Sequence, residues 1–282
     1  MRTNIYILFS ILALFSLTSC EDVIEIDLEQ GETLLVVDGR ITTEAGIQHV
    51  IRLTETAPYF ENVPAPAVSN ALVYVQTYDA NNQLINTDTL LEDAAKPGNY
   101  LTQTTQGLMD HRYVLNIEYN ASRYRAESTI TRIPPIDSLR YEYREAEGPF
   151  DAGYYVYYYG PETPGVGDNY LFIIYRNGVR YSEPSQLYFA SDELVDGNYI
   201  GNLDFTPEPF ELGDTITVES YTTSNDQYQF YLELSTQVNN GGIFASPPAN
   251  VRTNIKNLDP SGKKAVGYFS ANAMERKSIV IL

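Results

Sequence analysis

Cysteine occurs once in the 282 residues, histidine twice and tryptophan not at all, and 18 Lys and Arg stand against 37 Asp and Glu. One thiol excludes a disulfide framework, which needs two, and a cysteine-based zinc site, which needs several. His49 and His111 lie far apart with no HExxH between them, so the zinc-protease signature is missing. A formal charge of −19 excludes a protein that works by neutralising nucleic-acid phosphates. No G-x-S-x-G elbow, P-loop or strand-following G-x-G-x-x-G occurs. What the chain does have is 43% hydrophobic and 12% aromatic residues, including 24 Tyr, enough to bury a core rather than remain disordered.

The longest apolar run, Ile5–Leu17, follows Arg2 and falls short of the roughly 20 residues of a membrane span. It suits the apolar centre of a secretory signal. The run leads into Thr18-Ser19-Cys20, which resembles the lipobox of bacterial lipoproteins. That resemblance implies diacylglycerol on the Cys20 sulfur and cleavage before it, so residues 1–19 read as a lipoprotein signal peptide. Acyl chains contribute about 0.8 kcal/mol per buried CH₂, and two or more make anchoring stable. Residues 20–30 then form an acidic tether carrying Glu21, Asp22, Glu25, Asp27 and Glu29. The tether resembles the surface-export signal of Bacteroidota lipoproteins.

Beyond residue 30 the pattern is strand-like. Tyr113, Leu115, Ile117 and Tyr119 alternate with Arg112, Asn116 and Glu118, which marks a strand with one solvated face. Similar runs occur at Leu34–Val37, His49–Leu53, Ala71–Tyr78 and Tyr124–Ile130. Such spacing predicts an immunoglobulin-like β-sandwich over 31–133. Pro134-Pro135 cannot continue a central strand and marks a boundary. From 136 to 282 the runs at Leu139–Tyr143, Tyr170–Tyr175, Thr215–Tyr221, Ala265–Ser270 and Ser278–Leu282 predict a second, larger antiparallel sandwich or barrel. Asn177-Gly178 is a strong hairpin turn signal, because both turn residues need positive φ. One segment keeps a 3.6-residue period: Tyr228, Tyr231, Leu232, Leu234 and Val238 predict a helix near 225–240, capped by Ser224 with Gln227 and stopped by Gly241-Gly242. The fold class is therefore all-β with one helix.

Candidate sites are few. Asp192, Asp196 and Asn198 place hard oxygen donors on a Gly-bearing loop and are a weak calcium candidate, since their spacing does not match an EF-hand. Tyr155, Tyr157 and Tyr159 share one face of a strand, where tyrosine offers apolar area and a hydroxyl to a ligand, or simply packs. Thirty-seven acids make a close carboxylate pair near-certain by chance, so glycosidase chemistry has no specific signal. No catalytic residue is identified, and no cofactor beyond the lipid on Cys20.

Several blocks together resemble an uncharacterised family of Bacteroidota lipoproteins classed as a domain of unknown function. They include Leu35–Ile41, Val50–Leu53, Gly98–Tyr100, Pro134–Ser138, Gly213–Ile216, Tyr228–Tyr231, Phe244–Val251 and Gly267–Ser270. Members are commonly encoded beside TonB-dependent outer-membrane receptors. The resemblance implies a lipid-anchored outer-membrane protein, exposed at the cell surface, that serves such a receptor as a non-catalytic accessory or binding module for an unknown nutrient. Its expected partners are the bilayer and the receptor. Two alternatives stay open: a surface hydrolase using a carboxylate pair, and a structural envelope protein. Replacing Cys20 with Ser is expected to leave a precursor-sized chain that takes up no labelled fatty acid; labelling at the wild-type level would overturn the anchor.

Overall fold

The alternation seen in the sequence becomes paired strands. In β1 (Leu35–Thr42), Leu35, Val37 and Ile41 point inward while Asp38 faces solvent. The computed structural model describes residues 31–57, 63–241, 247 and 249–282. The apolar leader, Cys20 and the acidic tether of 20–30 lie outside the described residues. β1 joins β2 (Val50–Glu55), β5 (Leu91–Glu92), β6 (Asn99–Leu101) and β17 (Ala265–Asn272) in a sheet of order β17-β1-β2-β6-β5. A second sheet, β16-β8-β7-β3-β4, contains β3 (Leu72–Tyr78), β4 (Leu84–Thr89), β7 (Arg112–Tyr119), β8 (Ser122–Thr129) and β16 (Lys256–Asn257). Val37, Ile51, Leu53 and Phe269 of the first sheet share one apolar cluster with Val73, Val75, Leu115 and Ile117 of the second.

The second sandwich packs β14-β10-β9 against β12-β11-β15-β18, with β13 also hydrogen-bonded to β11. The strands are β9 (Ser138–Arg144), β10 (Gly153–Pro161), β11 (Asn169–Arg176), β12 (Val179–Arg180), β13 (Tyr188–Ser191), β14 (Tyr199–Asp204), β15 (Thr215–Thr223) and β18 (Met274–Val280). Val156 and Tyr158 meet Phe172, Ile174, Val218 and Phe205 between the sheets. The other face of β11 and β15 is apolar too, and helix α1 (Asn225–Val238) covers it: Leu171, Ile173 and Tyr221 pack on Tyr231. Ser224 caps α1 by accepting the Gln227 N–H at 3.1 Å.

The fold is all-β with one helix, as expected. The barrel alternative is corrected: each sheet keeps two unjoined edges and none closes on itself. The domain boundary also needs amending. Residues 130–137 do carry no strand between β8 and β9. The 136–282 segment, however, is not confined to the second sandwich, because β16 and β17 pair into the first. The β17 run predicts a strand and says nothing about which edge it completes, and two-residue β16 has no periodicity to read. Thr33–Leu282 forms one compact unit.

β17 runs parallel to β1, the one parallel pairing among the described strands. Gly267 permits the close approach: its φ is +89°, and a Cβ there would lie 2.0 Å from the Val37 carbonyl oxygen. After Asn272 the chain crosses directly into β18. Buried Asn272 donates its side-chain N–H to the Thr222 carbonyl at 2.5 Å and to Gln227 Oε1 at 2.9 Å. Ala273 and Thr222 exchange two further bonds of 3.1 Å each. Arg276 spans the same junction, 2.7 Å from Glu44 and 2.5 Å from buried Glu219.

Asp88 ties a loop of the first sandwich. Its Oδ2 accepts the N–H groups of Gln103, Thr104 and Thr105 at 2.8–2.9 Å and the Thr105 hydroxyl at 2.7 Å. Burial opposes the charge, yet these four donors prevail and hold the carboxyl below the ordinary aspartate range. A depressed folded value means the stabilisation is present above the unfolded pKa and lost as pH falls through the folded one. Asp88→Asn is expected to lower stability by about 2 kcal/mol at neutral pH. The gap to wild type narrows in acid, as urea unfolding across pH would show.

Candidate functional site: a basic cleft between the sandwiches

The outward face of the β17-β1-β2-β6 sheet carries a polar row. Tyr268, Asp38, Arg52 and Asn99 are successive register partners across these four strands. Arg40, two residues beyond Asp38 on the same face, pairs with Ser270. Facing this row are Gln227, Phe230, Tyr231 and Leu234 of α1, together with Leu187 and Arg180 of the second sandwich. Between the two walls lies a cleft of about 560 Å³.

One of its three guanidiniums is held in place. Arg40 donates to the Tyr231 hydroxyl at 3.0 Å and lies 4.6 Å from the centre of the Tyr221 ring. Tyr231 also accepts from Gln227 Nε2 at 3.3 Å, and Tyr268 donates to Asp226 at 2.8 Å. Arg52 and Arg180 are exposed, and among the described residues neither has a carboxylate within ion-pair distance. Arg112, Arg132, Arg176, Arg252 and Arg276 do, whereas Arg123 and Arg140, outside the cleft, also form no ion pair among the described residues. Among the described residues, Asp38 is the one acid lining the cleft.

The calcium candidates are arranged differently from expectation. Asp192 is buried, and its carboxylate accepts the N–H groups of Gly167 and Asp168 at 2.9–3.0 Å. The oxygens that converge with it, within 4.8 Å of one another, belong to Glu162 and Asp168. Asp196 instead accepts the Gly165 N–H at 2.6 Å, and exposed Asn198 donates to the Asp196 carbonyl at 3.3 Å. Glu162 accepts from the Tyr170 hydroxyl at 2.8 Å and from the Gly197 N–H at 2.7 Å. Arg132 pairs with Asp168 at 2.9 Å. The acids thus clamp the β10–β11 loop to the β13–β14 loop through backbone donors. The sequence signal caught Asp192 and missed Glu162 and Asp168, which lie a loop away.

Tyr155, Tyr157 and Tyr159 do share the outer face of β10. Tyr155 and Tyr157 are each only 5% exposed. The Arg144 guanidinium lies 4.8 and 5.1 Å from their ring centres, and Arg140 lies 4.3 Å from that of Tyr159. Tyr159 also donates to Asn202. Burial and the neighbouring acids Glu142 and Asp204 push the Tyr157 hydroxyl well above its ordinary pKa. His49 is buried, which lowers its pKa, and its backbone N–H bonds Thr102 Oγ1 at 2.9 Å.

A profile described as a domain of unknown function, DUF4249, matches residues 21–278. The chain belongs to the DUF4249 family. No curated protein sequence matches it. Among the described residues, no helix is long and apolar enough to cross a membrane. The DUF4249 match spans both sandwiches and the cleft between them, so the cleft is a feature of the whole matched region rather than of one half.

If the buried acids act as loop clamps, Asp192→Ala leaves two backbone donors without their acceptor. It should cost about 1–3 kcal/mol. Thermal unfolding checks this, and the loss should persist in a chelator such as EDTA. A loss that disappears on chelation would assign the carboxylate to a metal instead.

Proposed function

We propose that this DUF4249 protein is a lipid-anchored, surface-exposed outer-membrane module that binds a nutrient without transforming it and presents it to a TonB-dependent receptor. The cleft between the sandwiches carries this reading. It is concave and lined on one side by a sheet and on the other by a helix, and it offers convergent polar groups beside aromatic walls, the usual composition of a ligand site. The lipobox-like Cys20 and the acidic tether support the location. The family resemblance seen in the sequence supports the partner.

The cleft also weighs against the structural-envelope alternative, which requires no concavity. A carboxylate-pair hydrolase gains little from the Glu162, Asp168 and Asp192 cluster. Each of those acids already accepts protein donors or pairs with Arg132, so their oxygens are committed to holding the two loops together.

Affinity purification of the tagged full chain from solubilised outer membranes is expected to recover one TonB-dependent receptor in near-stoichiometric amount. The Cys20→Ser chain, lacking its anchor, should recover much less. Recovery of no receptor from the wild-type chain would overturn the proposal.

A further inference from the structure

We infer that the cleft is an oxyanion site: it takes a molecule bearing a carboxylate or phosphate on a flat apolar body, held by Arg52 from one sandwich and Arg180 from the other. This rests on the binding-module reading above and names the chemistry of its ligand.

The charge arrangement is the first ground. Acids outnumber bases about two to one in the chain. A surface drawn at random from this composition would be acidic, and most arginines would find a carboxylate. Among the described residues the cleft reverses the ratio, with Arg40, Arg52 and Arg180 against Asp38. Asp38 is the cross-strand neighbour of Arg52, yet the two do not close an ion pair. Arg40 is engaged by tyrosine, and the nearby Asp38 carboxylate supports its charge. A planar guanidinium matches a carboxylate or phosphate through two parallel N–H bonds, so free arginines on facing walls suit an oxyanion between them.

Placement is the second ground. Arg52 sits mid-row in the polar face of the first sandwich, flanked by Asp38 and Asn99. Arg180 sits in β12, just past the Asn177-Gly178 turn, whose φ values of 53° and 79° make a tight hairpin that carries it to the cleft. An anion bridging the two would contact both sandwiches. The cleft is also lined by Phe230, Tyr231, Tyr268 and Leu234, which suit an apolar or aromatic body. Low-dielectric walls strengthen the local positive potential against the negative field of the rest of the chain.

Isothermal titration of the detergent-solubilised full chain tests this with phenyl phosphate, benzoate, inorganic phosphate and the uncharged analogue benzyl alcohol. Phenyl phosphate or benzoate should bind at about 1 mM or tighter, and benzyl alcohol should not. The tighter of the two acids tells phosphate from carboxylate. Arg52→Ala and Arg180→Ala should each weaken binding roughly tenfold, and added salt should weaken it further. Both side chains are exposed, so neither variant should disturb folding. Arg123→Ala, an exposed arginine outside the cleft, should bind as wild type does. Absence of binding by either acid, or unchanged binding in both cleft variants, would overturn the site. Equal affinity for inorganic phosphate would overturn the apolar contribution. No receptor takes part, so the two proposals fail separately: anion binding without receptor recovery removes only the receptor role, and receptor recovery without anion binding removes only the oxyanion site.

Discussion

The geometry of the molecule depends on one continuous ribbon, β17 into β18, which belongs to both sandwiches. β17 completes the first sandwich beside β1, and β18 completes the second beside β15. Between them Asn272 and Ala273 are buried and bonded to Thr222. Two sandwiches joined by a lone proline linker would move as separate bodies. Joined by this ribbon, they hold their facing surfaces in a fixed relation. From Asn272 a chain of hydrogen bonds continues through Gln227 and Tyr231 to Arg40, so the junction also sets one wall of the cleft. A cleft held in place this way loses little freedom when occupied.

The excess of acid has a structural use. Asp88, Glu162, Asp192, Asp214 and Glu219 are all buried, and each accepts hydrogen bonds from backbone, hydroxyl or arginine donors. A carboxylate has two oxygens and several lone pairs, so one buried acid can organise an entire loop where an amide could satisfy fewer donors. Four of these acids fix loops around the two cores, and Glu219 ties Tyr175, Tyr221 and Arg276 across the strands of the second sandwich. The cleft shows the opposite preference, with guanidiniums left open.

Local features were readable from sequence because their causes are local. Alternation placed the strands, Ser224 with Gln227 located the start of α1, and Asn177-Gly178 gave its hairpin. The helix face was only half readable: Tyr231 is buried as its spacing implies, but Leu232 and Val238 remain exposed while polar Gln227 turns inward to Asn272. Partner choice was not readable. β16 and β17 lie in the stretch read as the second domain, and no pattern within them points to β8 or β1. The cleft was hidden for the same reason, since Arg52 and Arg180 sit in unrelated strands and line one cleft only through the fold. Tyr155, Tyr157 and Tyr159 drew notice by density, and the arginines that lie over the three rings could not be foreseen from their own strand.

The β1–β17 pairing has a kinetic side. The Ser270 hydroxyl and the Gly39 carbonyl, 3.5 Å apart, are separated by 231 positions in sequence. Contacts of such span demand closure of a very long loop before they return any stabilisation, and topologies rich in them fold slowly. During synthesis, neither sandwich can be completed until residues 265–280 have emerged. The nascent chain therefore stays open for most of its making, with the edge of β1 exposed. A chain of this design is vulnerable to strand-edge aggregation if it is cut or stalled before that last pairing.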